Sequence, residues 1–257
     1  MSGPVASYPL TAEQIAEVRE RGHAVLPGVL PREEVIAFRP LLQAYVQAKG
    51  EVLVGGASAT AEFHLGDAPP AVAGFVTSLR LGEIAARVLD AEAVRILHFV
   101  GLFKPAGGAA TPWHQDLAYL PLDSEKMVTL WIPLTDFTPD MGTLVFAEGS
   151  HRQGGPLSPA ARDRFPLAHN GAMAAGDLSL HLGWTLHAAG ENATDRVREA
   201  LAIVYYADGA RIKVRGQLPV MQRLLDRYFA GLANGDLAVG PMNPVVFRQS
   251  QQGGSRP

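Results

Sequence analysis

The sequence of 257 residues contains no cysteine. Disulfide bonds and thiolate metal sites are therefore excluded, and a transition metal would have to be bound by histidine, aspartate or glutamate. The sequence also lacks a basic cluster, because its net charge is -3 and its Lys and Arg residues are scattered. A chain without a basic patch offers no electrostatic footprint to a polyphosphate backbone, so we expect no nucleic-acid partner.

Long apolar segments are missing as well. No run approaches the ~20 apolar residues needed to span a bilayer, and the segment from Met1 to Leu10 has no signal-peptide pattern. We therefore expect a cytoplasmic protein without a membrane partner. Hydrophobic residues make up 47% of the chain and charged residues 18%, which is typical of a packed globular domain. We expect residues 1–257 to form a single domain, as a monomer or weak homo-oligomer.

The pattern of apolar residues divides the chain near residue 94. In about residues 10–90 these residues recur at helical spacing, and Thr11 with Gln14 has the arrangement of a capping box. From there to about residue 215, β-branched and aromatic residues dominate between closely spaced turns, which predicts a β-domain. The helices predicted are Thr11 to about Gly22, Glu33 to Gln47, Phe75 to Leu89 and Val220 to Leu232, the last followed by a disordered tail from Gln249 to Pro257. The strands predicted are His23 to Val29, Val94 to Lys104, Met127 to Asp136, Thr143 to Ala147, Asp177 to His181 and Ala200 to Tyr206.

One of these strands has two different faces. From Met127 to Asp136, the aliphatic residues Val128 and Leu130 alternate with Thr129 and Trp131. Alternate residues of a strand point to opposite sides of the sheet. We therefore expect the aliphatic face to pack in the core and the other face to line a cavity.

The segment His114-Gln115-Asp116 places an imidazole and a carboxylate two residues apart. On an extended backbone both side chains point to the same side, so both could bind one ion. A third candidate ligand, His187, lies on another predicted strand, and only a closed or double-layered sheet would bring it to the pair. Two histidines and one carboxylate leave three adjacent coordination positions open, which suits non-haem Fe(II) that binds a bidentate oxo-acid together with O2.

Arg198 follows His187 by eleven residues, at the start of the predicted strand from Ala200 to Tyr206. A buried guanidinium needs a partner, and its planar fork of donors matches the distal carboxylate of 2-oxoglutarate. The alternative is that Arg198 extends to the surface or pairs with groups near Glu199.

Further short motifs accompany these residues in a fixed order. They are Leu10 to Leu30, Lys104-Pro105, Pro112 to Asp116, Trp131 to Leu134, Gly142 to Leu144, Gly149 to His151, Gly176-Asp177, His187, Asn192 and Arg198. In their order and spacing they resemble the phytanoyl-CoA dioxygenase family of Fe(II)- and 2-oxoglutarate-dependent oxygenases, over most of the chain. The resemblance implies a mainly β fold with flanking α-helices, a double-stranded β-helix or cupin-like jelly roll. It also implies that His114, Asp116 and His187 are the iron ligands. Arg198 would then anchor 2-oxoglutarate, and Trp131 would line the co-substrate pocket.

The chain departs from the family at Ala189, where a serine often follows the distal histidine and can contact the co-substrate. Thr129 is a candidate for the missing hydrogen bond, since it shares a strand face with Trp131. His98, on the same predicted strand face as Lys104, is another candidate for contact with 2-oxoglutarate. It could equally be a structural histidine of the core.

One further histidine lies close to the predicted site. His181 could compete with His187 as the third metal ligand. The spacing from His187 to Asn192 and Arg198 favours His187.

The resemblance implies an enzyme that uses Fe(II), 2-oxoglutarate and O2 to oxidise a small-molecule substrate, most simply by hydroxylation, with release of succinate and CO2. A substrate from secondary metabolism would fit. Desaturation, cyclisation and epimerisation use the same ligands and stay open, and the alternatives to an oxygenase are a catalytically silent jelly-roll binding module and a zinc hydrolase. We expect the substrate to contact the irregular segments from Glu51 to Pro70 and from His151 to Asn170, which carry no recognisable signature.

Overall fold

The computed structural model describes residues 7–49, 53–54, 59–216 and 219–249.

The first helix has the end signals that the sequence predicts. Helix α1 (Ala12–Arg21) begins with a capping box, in which the backbone N–H of Gln14 donates to Oγ1 of Thr11 at 3.2 Å and the backbone N–H of Thr11 donates to Oε1 of Gln14 at 2.9 Å. It ends at Gly22, whose φ of 87° lies in the left-handed region that favours glycine.

The other helices flank the β-domain. They are α2 (Arg32–Lys49), α3 (Pro70–Val76), α4 (Leu79–Leu89) and α5 (Pro219–Tyr228). The prediction of one helix from Phe75 to Leu89 is wrong, because α3 and α4 are separate. Ser78 takes an extended backbone, with a ψ of 140°, between the end of α3 and the start of α4. An extended residue at this point ends the first helix, and serine is favoured there because it is a common N-cap of the helix that follows.

Twelve strands are present among the described residues, in two antiparallel sheets. They are β1 (His23–Leu26), β2 (Leu53–Val54), β3 (Ala59–Phe63), β4 (Ala93–Lys104), β5 (Thr111–His114), β6 (Met127–Pro133), β7 (Leu144–Ala147), β8 (Leu167–His169), β9 (Leu178–Leu182), β10 (His187–Ala189), β11 (Arg198–Ala207) and β12 (Val245–Arg248). The larger sheet has the order β1-β9-β6-β11-β4-β3-β2, with β12 also paired to β4, and the smaller sheet has the order β5-β10-β7-β8.

The larger sheet has a core on each of its faces. The aliphatic residues of β6, such as Val128 and Leu130, pack with the helices in the main apolar core. Trp131, on the opposite face, packs with Phe146 of the smaller sheet in a second core. The predicted two faces of this strand are therefore confirmed. Two antiparallel sheets that enclose an interior, with helices outside, form the predicted double-stranded β-helix.

A row of paired residues crosses the inner face of the larger sheet. His98 on β4 pairs with Val204 on β11, and Val204 pairs with Thr129 on β6. Thr129 pairs with His181 on β9, which in turn pairs with His23 on β1. Directly paired residues of antiparallel strands point to the same side. Three histidines and a threonine thus lie in one row, level with the candidate site.

Several predicted segments lie at the limits of the described residues. The last predicted helix forms as α5 and ends at Tyr228. Residues 250–257 of the predicted tail lie outside the described residues, as do 51–52 and 55–58 of the segment from Glu51 to Pro70. Within the described ranges, no helix combines the length and apolar character that a membrane crossing requires.

Candidate metal centre

The three predicted metal ligands lie together. His114 ends β5, Asp116 opens a 3-10 turn two residues later, and His187 begins β10. Strands β5 and β10 are neighbours in the smaller sheet, and His187 is paired directly with His114. One ligand atom from each of the three residues lies within 4.8 Å of the others. The double-layered sheet therefore brings His114 and His187, which are 73 positions apart in sequence, to one point.

Each histidine ring of the cluster is oriented by its own chain. Nδ1 of His114 lies 2.8 Å from the carbonyl oxygen of Pro112, and Nδ1 of His187 lies 2.9 Å from that of Thr185. A carbonyl can only accept, so each Nδ1 carries the proton and each Nε2 is free to bind a metal. The two Nε2 atoms lie 3.5 and 3.7 Å from Oδ1 of Asp116.

The surroundings of Asp116 and His187 favour the protonation states that a metal needs, whereas the pKa of His114 is raised because its contacts with Asp116 and Pro112 outweigh burial. Burial raises the pKa of Asp116, but the neighbouring His187, His114 and His181 outweigh it and hold that pKa well below its usual range. Burial lowers the pKa of His187 well below its usual value, and His181 and His114 lower it further. At neutral pH, Asp116 is therefore a carboxylate and His187 a neutral imidazole, which are the forms that coordinate.

The second carboxylate oxygen of Asp116 faces away from the two ligand histidines. Oγ1 of Thr129 donates to Oδ2 at 2.6 Å, and Nε2 of His181 lies 3.0 Å from the same oxygen. Thr129, predicted as a co-substrate contact, thus has a metal ligand as its partner in this structure. His181, the possible competitor of His187, contacts the ligand cluster through Asp116.

Gln115, between the two ligands in sequence, was not singled out by the sequence patterns. Its side chain is buried and points away from the cluster. Nε2 donates to the carbonyl of Trp184 at 2.7 Å, and Oε1 accepts from the backbone N–H of Leu157 at 2.6 Å. Gln115 therefore ties β5 to the turn before His187 and to the segment that follows β7.

The turn before His187 is also fixed by helix α1. Oγ1 of Thr185 donates to the carbonyl of Gly22 at 2.8 Å, and the backbone N–H of Leu182 donates to the same carbonyl at 2.9 Å. A Cβ at Gly22 would lie 2.6 Å from Oγ1 of Thr185, so only glycine allows this approach. The C-terminus of α1 thus supports the strand that carries a ligand.

A pair of buried cations, Lys104 and Arg198, lies on the inner face of the larger sheet. Arg198 begins β11 and pairs directly with Lys104 at the end of β4. Both side chains are buried, and no ion pair joins either one to an acidic group among the described residues. Arg198 donates one hydrogen bond of 2.6 Å to the carbonyl of Gly142 and lies 5.4 Å from the ring centre of Trp131. The alternative that Arg198 extends to the surface does not hold. Its neighbour Glu199 pairs with Arg39.

Unused hydrogen-bond donors lie beside this cation pair. Nε of Arg198 and Nε1 of Trp131 are buried without a hydrogen-bond partner in the described part of the chain. Buried donors of native proteins are normally satisfied by a partner of some kind. The two cations and the two free N–H donors on this inner face fit a carboxylate. The donor set of His114, Asp116 and His187 fits iron.

Asn192 connects the two strands that carry these cations. Its Nδ2 donates to the carbonyls of Lys104, Pro105 and Arg196 at 3.1, 2.9 and 2.7 Å, and its Oδ1 accepts from Thr194. The side chain is fully buried. It therefore fixes the end of β4 against the turn that leads into β11.

His98 lies apart from the cation pair. It is six residues before Lys104 on β4, and six strand residues span about 20 Å. Its ring centre lies 5.4 Å from that of Tyr228 in α5. The row of paired residues places it level with Thr129, two strands away. Contact between His98 and 2-oxoglutarate remains a prediction.

Comparisons with known proteins agree with this geometry. The family model for phytanoyl-CoA dioxygenase matches residues 18–200. No curated protein sequence matches the chain. Among solved structures, the chain is similar to SnoK, described as a non-heme alpha ketoglutarate dependent carbocyclase from nogalamycin biosynthesis, with 26% identity and a TM-score of 0.82, over 96% of this chain and 100% of that one.

Two other solved structures share the fold. The epimerase SnoN, in complex with Fe3+, alpha ketoglutarate and nogalamycin RO, is 23% identical with a TM-score of 0.78, over 91% of this chain and 97% of that one. EvdO2 from Micromonospora carbonacea var. aurantiaca, complexed with 2-oxoglutarate, is 26% identical with a TM-score of 0.59, over 84% and 97%. Because the family model covers well over half of the sequence, the chain belongs to the phytanoyl-CoA dioxygenase family of Fe(II)- and 2-oxoglutarate-dependent oxygenases, as its motifs predict.

Proposed function

We propose that this enzyme hydroxylates a small-molecule substrate of secondary metabolism, with iron held by His114, Asp116 and His187. The observation that carries the proposal is the cluster of these three side chains within 4.8 Å, on the inner face of a jelly roll. When bound, iron and 2-oxoglutarate supply an oxidant from O2 and release succinate and CO2. The chain itself positions these groups and shields them from water.

The side chains of the proposed metal ligands are already oriented for binding in the absence of a metal. The carbonyls of Pro112 and Thr185 hold both rings with Nε2 directed towards Asp116. Little reorganisation is then needed on binding, which favours affinity. Three protein ligands on one side of an ion leave adjacent positions for a chelating oxo-acid and for O2.

The distal carboxylate of 2-oxoglutarate would bind at Arg198 and Lys104. Arg198 offers its unpartnered Nε, and Trp131 offers Nε1. Burial lowers the pKa of Arg198 to about 10, so it stays charged at neutral pH. A buried guanidinium beside a buried ammonium is costly unless an anion lies between or next to them. This pair also argues against the zinc hydrolase, which has no use for a second, cationic anchor.

The segment from His151 to Asn170 packs beside the strand that carries His114. Leu157 and Phe165 of this segment, like Trp113 of β5, pack against a small core of Ala147, Ala161 and Leu186. The guanidinium carbon of Arg162 lies 5.7 Å from the ring centre of Trp113. Because Trp113 alternates with His114 along the strand, these contacts support β5 from the side opposite the metal cluster. Contact of the segment with a substrate remains a prediction.

Ring closure is a second candidate reaction. It is favoured by the similarity to the carbocyclase SnoK, which covers 96% of this chain at 26% identity. The same metal ligands would serve both reactions. The products differ in composition, because hydroxylation adds one oxygen atom to the substrate and ring closure removes two hydrogen atoms.

The test begins with 2-oxoglutarate added to the anaerobic Fe(II) protein, followed by the metal-to-ligand charge-transfer absorbance. O2 and a panel of candidate substrates are then added, and succinate and product mass are measured. We expect the absorbance to appear and succinate release to be stimulated by one class of substrate. Absence of the band with wild-type protein would contradict the oxygenase and would favour the silent binding module. Hydrolysis that needs zinc but no 2-oxoglutarate would favour the zinc enzyme.

A further inference from the structure

We infer that Thr129 and His181 are positioning residues that fix Asp116 as a one-oxygen metal ligand. The inference rests on the proposed metal site and extends it to two side chains that do not belong to the ligand set. Oγ1 of Thr129 lies 2.6 Å and Nε2 of His181 lies 3.0 Å from Oδ2 of Asp116. The other oxygen, Oδ1, is the one that faces the ligand histidines.

The direction of these hydrogen bonds follows from the charge of Asp116. An ionised carboxylate can only accept, so both Thr129 and His181 must donate. Nε2 of His181 therefore carries a proton and cannot bind a metal at the same time. The lone pairs of Oδ2 are engaged by two donors, while those of Oδ1 remain available.

Both donors are rigidly placed. Thr129 and His181 are directly paired on the neighbouring strands β6 and β9, and both are buried. His181 is also enclosed by rings, with its centre 4.2 Å from that of His187 and 5.6 Å from that of Phe146. The sheet register, rather than side-chain flexibility, thus decides where Oδ2 of Asp116 lies.

This arrangement has a chemical consequence at the metal. A carboxylate that rotated about its Cβ–Cγ bond could bind through both oxygens and would occupy a fourth coordination position. Engaging Oδ2 elsewhere prevents this and keeps three adjacent positions open for the oxo-acid and O2. Thr129 and His181 therefore keep three coordination positions open, and they also contribute to metal affinity.

The experiment compares variants that keep shape but lose the donor. Thr129→Val and His181→Phe remove one donor each, whereas Thr129→Ser and His181→Gln retain one. His23→Phe is the matched control, because His23 is the buried neighbour of His181 on β1, stacks on Phe146 and has no contact with Asp116. Binding of Co(II) to the metal-free proteins is measured by titration, and the visible absorption of bound Co(II) reports its ligand set and geometry.

We expect Thr129→Val and His181→Phe to weaken Co(II) binding by about 10- to 100-fold, as is usual for residues that orient a ligand. Their Co(II) absorption should differ from that of the wild type, because a second bond from Asp116 replaces one metal-bound water. Thr129→Ser, His181→Gln and His23→Phe should bind Co(II) nearly as wild type does. Circular dichroism checks folding, and each residue has a second variant if one fails to fold.

Two outcomes would overturn the inference. If Thr129→Val and His181→Phe keep wild-type affinity and absorption, the two donors do not position Asp116. If His181→Phe loses the metal as completely as His187→Ala, His181 is itself a ligand. Failure of the wild-type protein to bind Co(II) or Fe(II) at all would instead contradict the proposed function, so the two failures are distinguishable.

Discussion

Lys104 and Arg198 lie directly opposite each other on neighbouring antiparallel strands, and both side chains are buried. Burial and the nearby charge of Arg198 lower the pKa of Lys104 to about 8. Like charges opposite each other destabilise a sheet unless a third group compensates them. The pair is therefore the place where we propose that the carboxylate of 2-oxoglutarate binds, and it gives two separate predictions.

The first prediction concerns Arg198. Replacing it by lysine keeps the charge but loses the planar fork, so Arg198→Lys should weaken 2-oxoglutarate binding, and Arg198→Ala should weaken it further. Removing one side of a buried charged pair costs about 3 to 5 kcal/mol, which corresponds to a loss of at least about a hundredfold in affinity. Fe(II) binding should not change. Anaerobic titration of the charge-transfer band measures both quantities, and wild-type 2-oxoglutarate affinity in Arg198→Ala would place the anchor elsewhere.

The second prediction concerns pH and Lys104. A bound carboxylate favours the charged ammonium, so 2-oxoglutarate affinity should fall as pH rises through about 8, where Lys104 loses its proton. Without 2-oxoglutarate, the pKa of Lys104 in the folded protein lies below the ordinary lysine value of 10.5, so the unfolded chain binds more protons between about pH 8 and pH 10.5. The free energy of unfolding of the free protein should therefore increase from about pH 8 to about pH 10.

Lys104→Met is the variant that tests this link. It should bind 2-oxoglutarate more weakly at pH 7 and should lose the fall in affinity near pH 8. Fluorescence-monitored unfolding in urea across the same pH range measures the stability. An unchanged pH profile in Lys104→Met would assign the dependence to another group.

The third prediction concerns the ligands. His114→Ala, Asp116→Ala and His187→Ala should each abolish turnover and lower Fe(II) binding to background, because three protein donors are already the minimum for this site. The control is His169→Ala, which removes an exposed histidine of β8. Metal content after gel filtration and succinate release give the readouts. Full turnover in any of the three would remove that residue from the ligand set.

The fourth prediction concerns Asn192, which lies outside the proposed metal and anchor residues. Asn192→Ala removes the amide donor to the buried carbonyl of Lys104, and a buried carbonyl left without a donor costs about 1 to 3 kcal/mol. We expect the free energy of unfolding to fall by about this amount and 2-oxoglutarate affinity to fall with it. The matched control is Asn234→Ala, which removes one exposed hydrogen bond to Val214 and should change the stability by about 0.5 kcal/mol or less. Equal stability of the two variants in urea would contradict the role of Asn192.

The sequence was informative where a local pattern determines the outcome. The capping box at Thr11, the alternation around Thr129 and the two-residue spacing of His114 and Asp116 all rest on short-range geometry. The family motifs then gave the fold and the enzyme class. Oligomeric state and cellular location remain predictions.

The features that the sequence did not reveal depend on contacts between distant parts of the chain. Lys104 belonged to a family motif, but lysine is rarely fully buried, so nothing in the sequence predicted the burial of Lys104 beside Arg198, which depends on a strand that begins 94 positions later. The separate roles of His181 and His187 depend on which oxygen of Asp116 each ring meets. The break between α3 and α4 lies at the extended backbone of Ser78, which the spacing of apolar residues does not indicate.

The contact between Gly22 and Thr185 has a consequence for the order of events in biosynthesis. The ring of His187 is held by a turn that is itself held by the end of the first helix, 163 positions earlier in the chain. In a nascent chain, the residues of the proposed metal site would therefore stay apart until the first helix has met a segment synthesised much later. Metal binding at the proposed site would follow this long-range contact, and so would accompany the folding of the whole domain rather than precede it.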